Sequence, residues 1–112
     1  MIIPVEKIQG KIMFICGEDD QLQPATHFSK MLTDRLREQG DTREPYYLSY
    51  KDAGHFSAFP AALPYLPTTR SITNRGKMTM TFGGTAKGSA DAAKDSFRGV
   101  LLFLNKTFED GF

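Results

Sequence analysis

One cysteine, no apolar run longer than about five residues, no excess of either charge and no nucleophile motif: these shortages narrow what the 112-residue chain can be. A lone Cys16 cannot form an internal disulfide, which fits a reducing compartment. The apolar runs fall far short of the roughly 20 residues that span a bilayer. Met1-Ile2-Ile3-Pro4 carries no basic start and no small-residue cleavage site, so no signal peptide is expected and the cytoplasm is the default location. With 14 basic and 13 acidic residues the net charge is +1, and nothing electrostatic argues for nucleic acid or an anionic membrane as a partner. Arg70, Arg75 and Lys77 are too sparse to form a binding stripe. Two histidines and one cysteine make no zinc site by spacing, so no metal or cofactor is expected. Gly83-Gly84-Thr85-Ala86-Lys87-Gly88 lacks the G-K-[ST] ending and the buried strand of a phosphate loop. No G-x-S-x-G occurs anywhere in the chain.

What is present amounts to one domain, residues 1–112, with 40% hydrophobic and 24% charged residues. Its organising stretch is Lys11 to His55. Lys11–Cys16 is mostly apolar without alternation, as a strand covered on both faces would be. Pro24 suits a first helical turn, and Phe28, Met31, Leu32 and Leu36 then form one buried helical stripe. Gly40 ends that helix, with Arg35 and Arg37 in its last turns. Tyr46–Tyr50 reads as a second strand, and strand–helix–strand implies a βαβ unit with parallel strands. Pro60, Pro64 and Pro67 make the segment from Phe56 to Thr69 irregular. Arg70–Lys77 reads as a polar loop, and Met78–Phe82 as a short extended piece stopped by Gly83-Gly84. A second helix is predicted over Ser89–Phe108, capped by Ser89, burying Ala93, Phe97, Val100, Leu101 and Leu104. Gly99 inside it suggests close packing.

Two residues carry candidate chemistry. Asp20 ends the first strand in a Gly17-x-x-Asp20-x-x-x-Pro24 spacing, at the carboxyl edge where open α/β sheets place their sites. A carboxylate there can fix an imidazole's tautomer and stabilise the imidazolium. The plainer alternative is that Asp20 or Asp19 caps the following helix, and Asp19 is the fallback acid. His55 follows the second strand after Gly54, 35 positions from Asp20, about one crossover away. A lone loop histidine is ordinarily solvated or structural, and it is the pairing with Asp20 that favours an acid–base role. Cys16 lacks the strand–turn–helix elbow of a nucleophile and reads better as a small buried hydrophobe. His27 lies at a polar helix position and reads as solvated.

Taken in order, Ile3–Ile8, Ile12–Asp20, Tyr50–His55, Pro64-Tyr65-Leu66-Pro67, Gly83-Gly84 and the last helix resemble the C-terminal part of an α/β-hydrolase. The resemblance is to the acyl-CoA thioester hydrolase and bile acid-CoA:amino acid N-acyltransferase family, close to the dienelactone hydrolases. It implies an α/β class with a partial α/β-hydrolase fold: the last two parallel strands as a βαβ unit plus a C-terminal helix. It also implies that a serine or cysteine attacks an acyl thioester, with Asp20 similar to the triad acid and His55 to the base. In the order Ser…Asp…His the nucleophile belongs upstream of Asp20, where this chain has neither it nor an oxyanion-hole strand. The expected function is therefore a thioesterase/acyltransferase-type piece that supplies acid and base, inactive alone, and acts on acyl-CoA or another (thio)ester once the missing half completes it. That half could sit on another chain. The alternative is a non-enzymatic, oligomeric interaction domain that keeps the βαβ scaffold. An unpaired edge on the first strand predicts a homo-oligomer.

Overall fold

The computed structural model describes residues 2–56, 71–74, 76 and 78–111. A 3-10 turn, Val5–Lys7, leads into strand β1, Met13–Gly17. Helix α1, Ala25–Glu38, carries the chain across to β2, Tyr46–Tyr50. The two strands pair in parallel, with Met13 opposite Tyr46 and Gly17 opposite Tyr50. The predicted βαβ unit is thus the centre of the molecule. A hairpin of β3, Ser71–Asn74, and β4, Met78–Thr81, precedes helix α2, Ala86–Asp110.

Successive strand residues face opposite ways, and each face of the parallel pair receives one helix. Phe14 faces α1 and packs with Leu32 around the buried cluster of Val5, Ile12 and Leu36. The other face carries Met13, Leu48 and Tyr46. There a Cβ on Gly99 of α2 would stand 2.7 Å from Leu48 Cδ1, and Phe103 meets Tyr46 edge-on at 5.2 Å. Helix, sheet and helix form three layers, an α/β arrangement.

Polar anchors hold the entry to this core. Arg35 grips Glu6 through two hydrogen bonds of 2.7 and 2.8 Å, tying α1 to the 3-10 turn. Arg43 donates to the carbonyls of Ile8 and Gly10, both at 2.6 Å. At the end of α1 the Gly40 N–H reaches Arg37 O and the Asp41 N–H reaches Leu36 O, with Gly40 at φ 76°. This is a Schellman closure, for which glycine's tolerance of positive φ is suited.

Four expectations change. Ser71–Asn74 is a strand where a polar loop was expected. It pairs antiparallel with β4, Asn74 opposite Met78, and Gly76 at φ 69° supplies the turn. β-branched Ile72 and Thr73 favour the extended backbone. Helix α1 begins at Ala25 with Pro24 as its N-cap, and its stripe is not uniformly buried: Leu36 is, while Phe28 is 46% exposed. Helix α2 begins earlier than predicted. Thr85 is its cap, accepting from Gly88 N–H at 2.9 Å, and Ser89 lies inside it. At Gly88, inside the helix, the Asp52 backbone runs so close that a Cβ would fall 2.2 Å from Asp52 O.

The fourth change is the largest. The buried face of α2 is Ser89, Ala92, Ser96 and Thr107, not the apolar stripe. Phe97, Leu101, Leu104 and Phe108 are exposed instead. Small residues let the helix approach a sheet face that already carries Tyr46, Leu48 and Met13. Thr107 and Ser96 satisfy their hydroxyls on the helix's own carbonyls, Phe103 O at 2.8 Å and Ala93 O at 3.2 Å. The proline-rich segment from 57 to 70, with Pro64-Tyr65-Leu66-Pro67, lies outside the described residues. Among the described residues no helix is long and apolar enough to cross a membrane.

Candidate active site

β1 and β2 run parallel and in register, so the loops that leave them emerge side by side. Glu18 N–H donates to Tyr50 O at 2.8 Å and Asp19 N–H to Ala53 O at 3.0 Å, continuing the pairing past the strand ends. Gly17 permits this approach, since a Cβ on it would lie 2.4 Å from the carbonyl oxygens of Ala53 and Gly54. The two loops therefore travel together as far as Asp20 and His55.

Those side chains meet. His55 Nδ1 lies 3.1 Å from Asp20 Oδ2, with the Asp20 side chain 5% exposed and the His55 side chain 25%. The other carboxylate oxygen, Oδ1, accepts from the N–H groups of Leu22 at 3.0 Å and Gln23 at 2.9 Å. Asp20 is thus locked from one side by its own turn and offers its second oxygen to the imidazole. It does not cap α1, whose N-cap Pro24 has no side-chain cap bond. Facing an ionised carboxylate, which only accepts, Nδ1 is the nitrogen that donates. Among the described residues no side chain or carbonyl is within hydrogen-bond distance of Nε2.

A third segment closes the site. His55 N–H donates to Phe82 O at 2.9 Å, and Gly83 forms an antiparallel bridge with Asp20. The Phe82 ring stacks beside the imidazole at 6.2 Å, and Phe56 meets it edge-on at 5.2 Å. Ser89, buried in α2, accepts from Gly54 N–H at 3.3 Å. Sequence reasoning missed Phe82, Gly83, Gly84 and Ser89 in this setting. The glycine doublet after an extended piece is the available signal, since two adjacent glycines mark a close backbone approach as readily as a strand end. Ser89 was assigned to a cap.

The remaining candidates lie apart from this pair. Asp19 faces elsewhere, accepting from Gly84 N–H at 2.8 Å and Gln21 Nε2 at 3.3 Å. Cys16 is buried, its sulfur 3.2 Å from the Tyr47 hydroxyl. Burial, then the Cys16 contact, pushes the Tyr47 hydroxyl above its ordinary pKa. His27 is exposed on α1 beside Phe28. Among the described residues no group of three His, Cys, Asp or Glu side chains could hold a metal ion.

The layered α/β architecture, with a carboxylate–imidazole pair at neighbouring strand ends, defines a class. Comparison with known proteins supplies the family. The family model described as "BAAT / Acyl-CoA thioester hydrolase C terminal" matches residues 1–110, and the chain belongs to this family. Among curated relatives, the mouse peroxisomal succinyl-coenzyme A thioesterase is 32% identical over 106 residues, 94% of this chain and 24% of the relative. The mouse acyl-coenzyme A amino acid N-acyltransferase 1 is 35% identical over 105 residues, with the same coverage of each. Human acyl-coenzyme A thioesterase 6 is 28% identical over 107 residues. The chain therefore spans about a quarter of the length of these relatives. One of them is peroxisomal by name, so family membership does not favour the cytoplasm.

Proposed function

We propose that this chain supplies the acid and base of a Ser/Cys–His–Asp triad acting on acyl-CoA-like thioesters. The observation that carries the reading is the 3.1 Å contact between Asp20 Oδ2 and His55 Nδ1, made by an aspartate whose other oxygen is held by two backbone N–H groups. In the proposed cycle Nε2 of His55 takes the proton of a serine or cysteine as it attacks the thioester carbonyl. The C–S bond breaks and the imidazolium returns the proton to the departing thiolate. Water, or the amine of an amino acid, then attacks the acyl-enzyme, with His55 again as base. Asp20 holds the Nδ1–H tautomer and stabilises the imidazolium. The relatives' names include both a thioesterase and an amino acid N-acyltransferase, so both acceptors belong to the proposal.

The 112 residues contain no G-x-[SC]-x-G, so the nucleophile and the oxyanion hole must come from outside them. The fold we propose is accordingly the last part of an α/β-hydrolase sheet, with β1 and β2 as its final strands and residues 1–112 as one segment of that domain. The cytoplasm remains our proposed compartment, resting on the lone cysteine. The test is an acyl-CoA panel assayed twice. The chain alone should show no turnover above background. The same residues fused behind the upstream three-quarters of a thioesterase relative should restore it. Turnover by the chain alone would overturn the division of labour.

One feature favours a second reading, an oligomeric interaction domain on the same scaffold: the exposed run of Phe97, Leu101, Leu104 and Phe108 on α2. A homodimer at micromolar concentration that fails to accept the upstream part would favour it. A monomer by light scattering would remove it.

A further inference from the structure

Beyond the pair itself, and resting on the proposed role of His55 as base, we propose that Asp19 and the strap Phe82–Gly84 are positioning residues that hold the His55 imidazole for Asp20. The strap touches both loops at once. Its Phe82 carbonyl accepts from His55 N–H at 2.9 Å, and the Phe82 ring, 5% exposed, packs beside the imidazole and against Phe56 at 4.8 Å. Gly83 and Gly84 follow at φ 75° and 74°. A Cβ on Gly83 would stand 1.9 Å from Asp19 O, and one on Gly84 2.4 Å from Gly54 N. Two consecutive glycines with positive φ and no room for a side chain mark a backbone pressed between the acid loop and the histidine loop.

Asp19 pins that backbone. Its carboxylate accepts from Gly84 N–H at 2.8 Å, and its own N–H donates to Ala53 O at 3.0 Å, two residues before His55. Asp19 and Asp20 therefore divide the work. Asp20 touches the ring nitrogen, and Asp19 fixes the strap that fixes the ring's backbone and one of its faces. Asp19 and its hydrogen bond to Gly84 N–H are exposed, so its removal leaves that N–H to water and a variant there should fold.

The experiment is proton NMR of the chain, following the downfield Nδ1–H resonance of His55 and its exchange with water. Asp19→Ala should raise the exchange rate about tenfold, the change expected when one net hydrogen bond is lost, while leaving the melting temperature close to the parent's. Asp19→Asn keeps a side-chain carbonyl that can accept from Gly84 and should restore most of the protection. Phe82→Leu keeps apolar volume but removes the ring, and should also raise exchange. Asp20→Asn should abolish the resonance. Loss in Asp20→Asn with parent-like exchange in Asp19→Ala and Phe82→Leu overturns the strap alone. A resonance that survives Asp20→Asn, or is missing from the parent, overturns the pair and the strap with it. In the fused enzyme the strap variants should lower kcat and leave KM unchanged, and a KM effect alone would contradict a positioning role.

Discussion

The two ends of this molecule are finished to different degrees. At the carboxyl ends of β1 and β2, three chain segments close on one another through backbone bonds, with Asp20 using both carboxylate oxygens and Ser89 reaching into the histidine loop. At the far half of α2, Phe97, Leu101, Leu104 and Phe108 form an exposed row at four-, three- and four-residue steps while serine, alanine and threonine take the buried face. Local hydrogen bonding can bring a carboxylate and an imidazole together within one βαβ unit and one strap. Covering an apolar helix face needs a second surface, and Phe97, Leu101 and Leu104 remain 46%, 47% and 42% exposed.

Substitutions should separate the two ends. Leu36, 1% exposed in the α1 core, should cost about 2–5 kcal/mol when cut to alanine. Gly83→Ala at the site end should cost about 2 kcal/mol or more, because φ is positive and Asp19 O occupies the space. Both are read from urea midpoints at constant slope. A Gly83→Ala chain as stable as the parent would mean that the strap is not pressed between the loops. Leu101→Ser on the exposed row should change the stability of the chain by no more than about 0.5 kcal/mol. A loss comparable to Leu36→Ala would mean that the row is already covered in solution.

A pH effect should appear away from both ends. The Arg35 hydrogen bonds hold the Glu6 carboxyl down from 4.5 to about 2, and those from Arg43 hold Asp41 at about 2. A folded-state pKa below the unfolded one stabilises the protein above the unfolded value, and that contribution fades as pH falls. Stability should therefore drop between about pH 4.5 and 2. The slope should be smaller in Glu6→Gln, which has no carboxyl to protonate. An unchanged slope in that variant would show that the Glu6–Arg35 pair contributes nothing.

Much of the middle of the fold was legible. β2 matches its predicted range, β1 lies within one residue of its predicted end, and their parallel pairing follows from the helix between them. The nearness of Asp20 and His55 was legible for the same reason, since one crossover returns the chain to the same edge of the sheet. The choice between Asp19 and Asp20 was harder. Adjacent residues in a turn point different ways, and in the folded chain Asp20 reaches His55 while Asp19 reaches Gly84. Periodicity misled on α2. An apolar stripe signals that a face is to be covered without saying by which surface, and here the small residues won the contact with the sheet. Serine is a favoured N-cap residue, so Ser89 reads as the start of the helix, whereas Thr85 is the cap and Gly88 marks the close passage of Asp52. Of the hairpin, β4 falls within the extended piece expected at Met78–Phe82, and only β3 was hidden, by its polar composition.

The most direct test of the central claim is the turnover number of the fused enzyme, in which these residues follow the upstream part of a thioesterase relative, measured with Asp20→Asn and His55→Ala. An aspartate that orients the histidine and a histidine that acts as base predict a fall of about 10⁴ in kcat for Asp20→Asn and about 10⁶ for His55→Ala, with the double variant little worse than His55→Ala alone. Parent-like turnover in either variant would contradict the account.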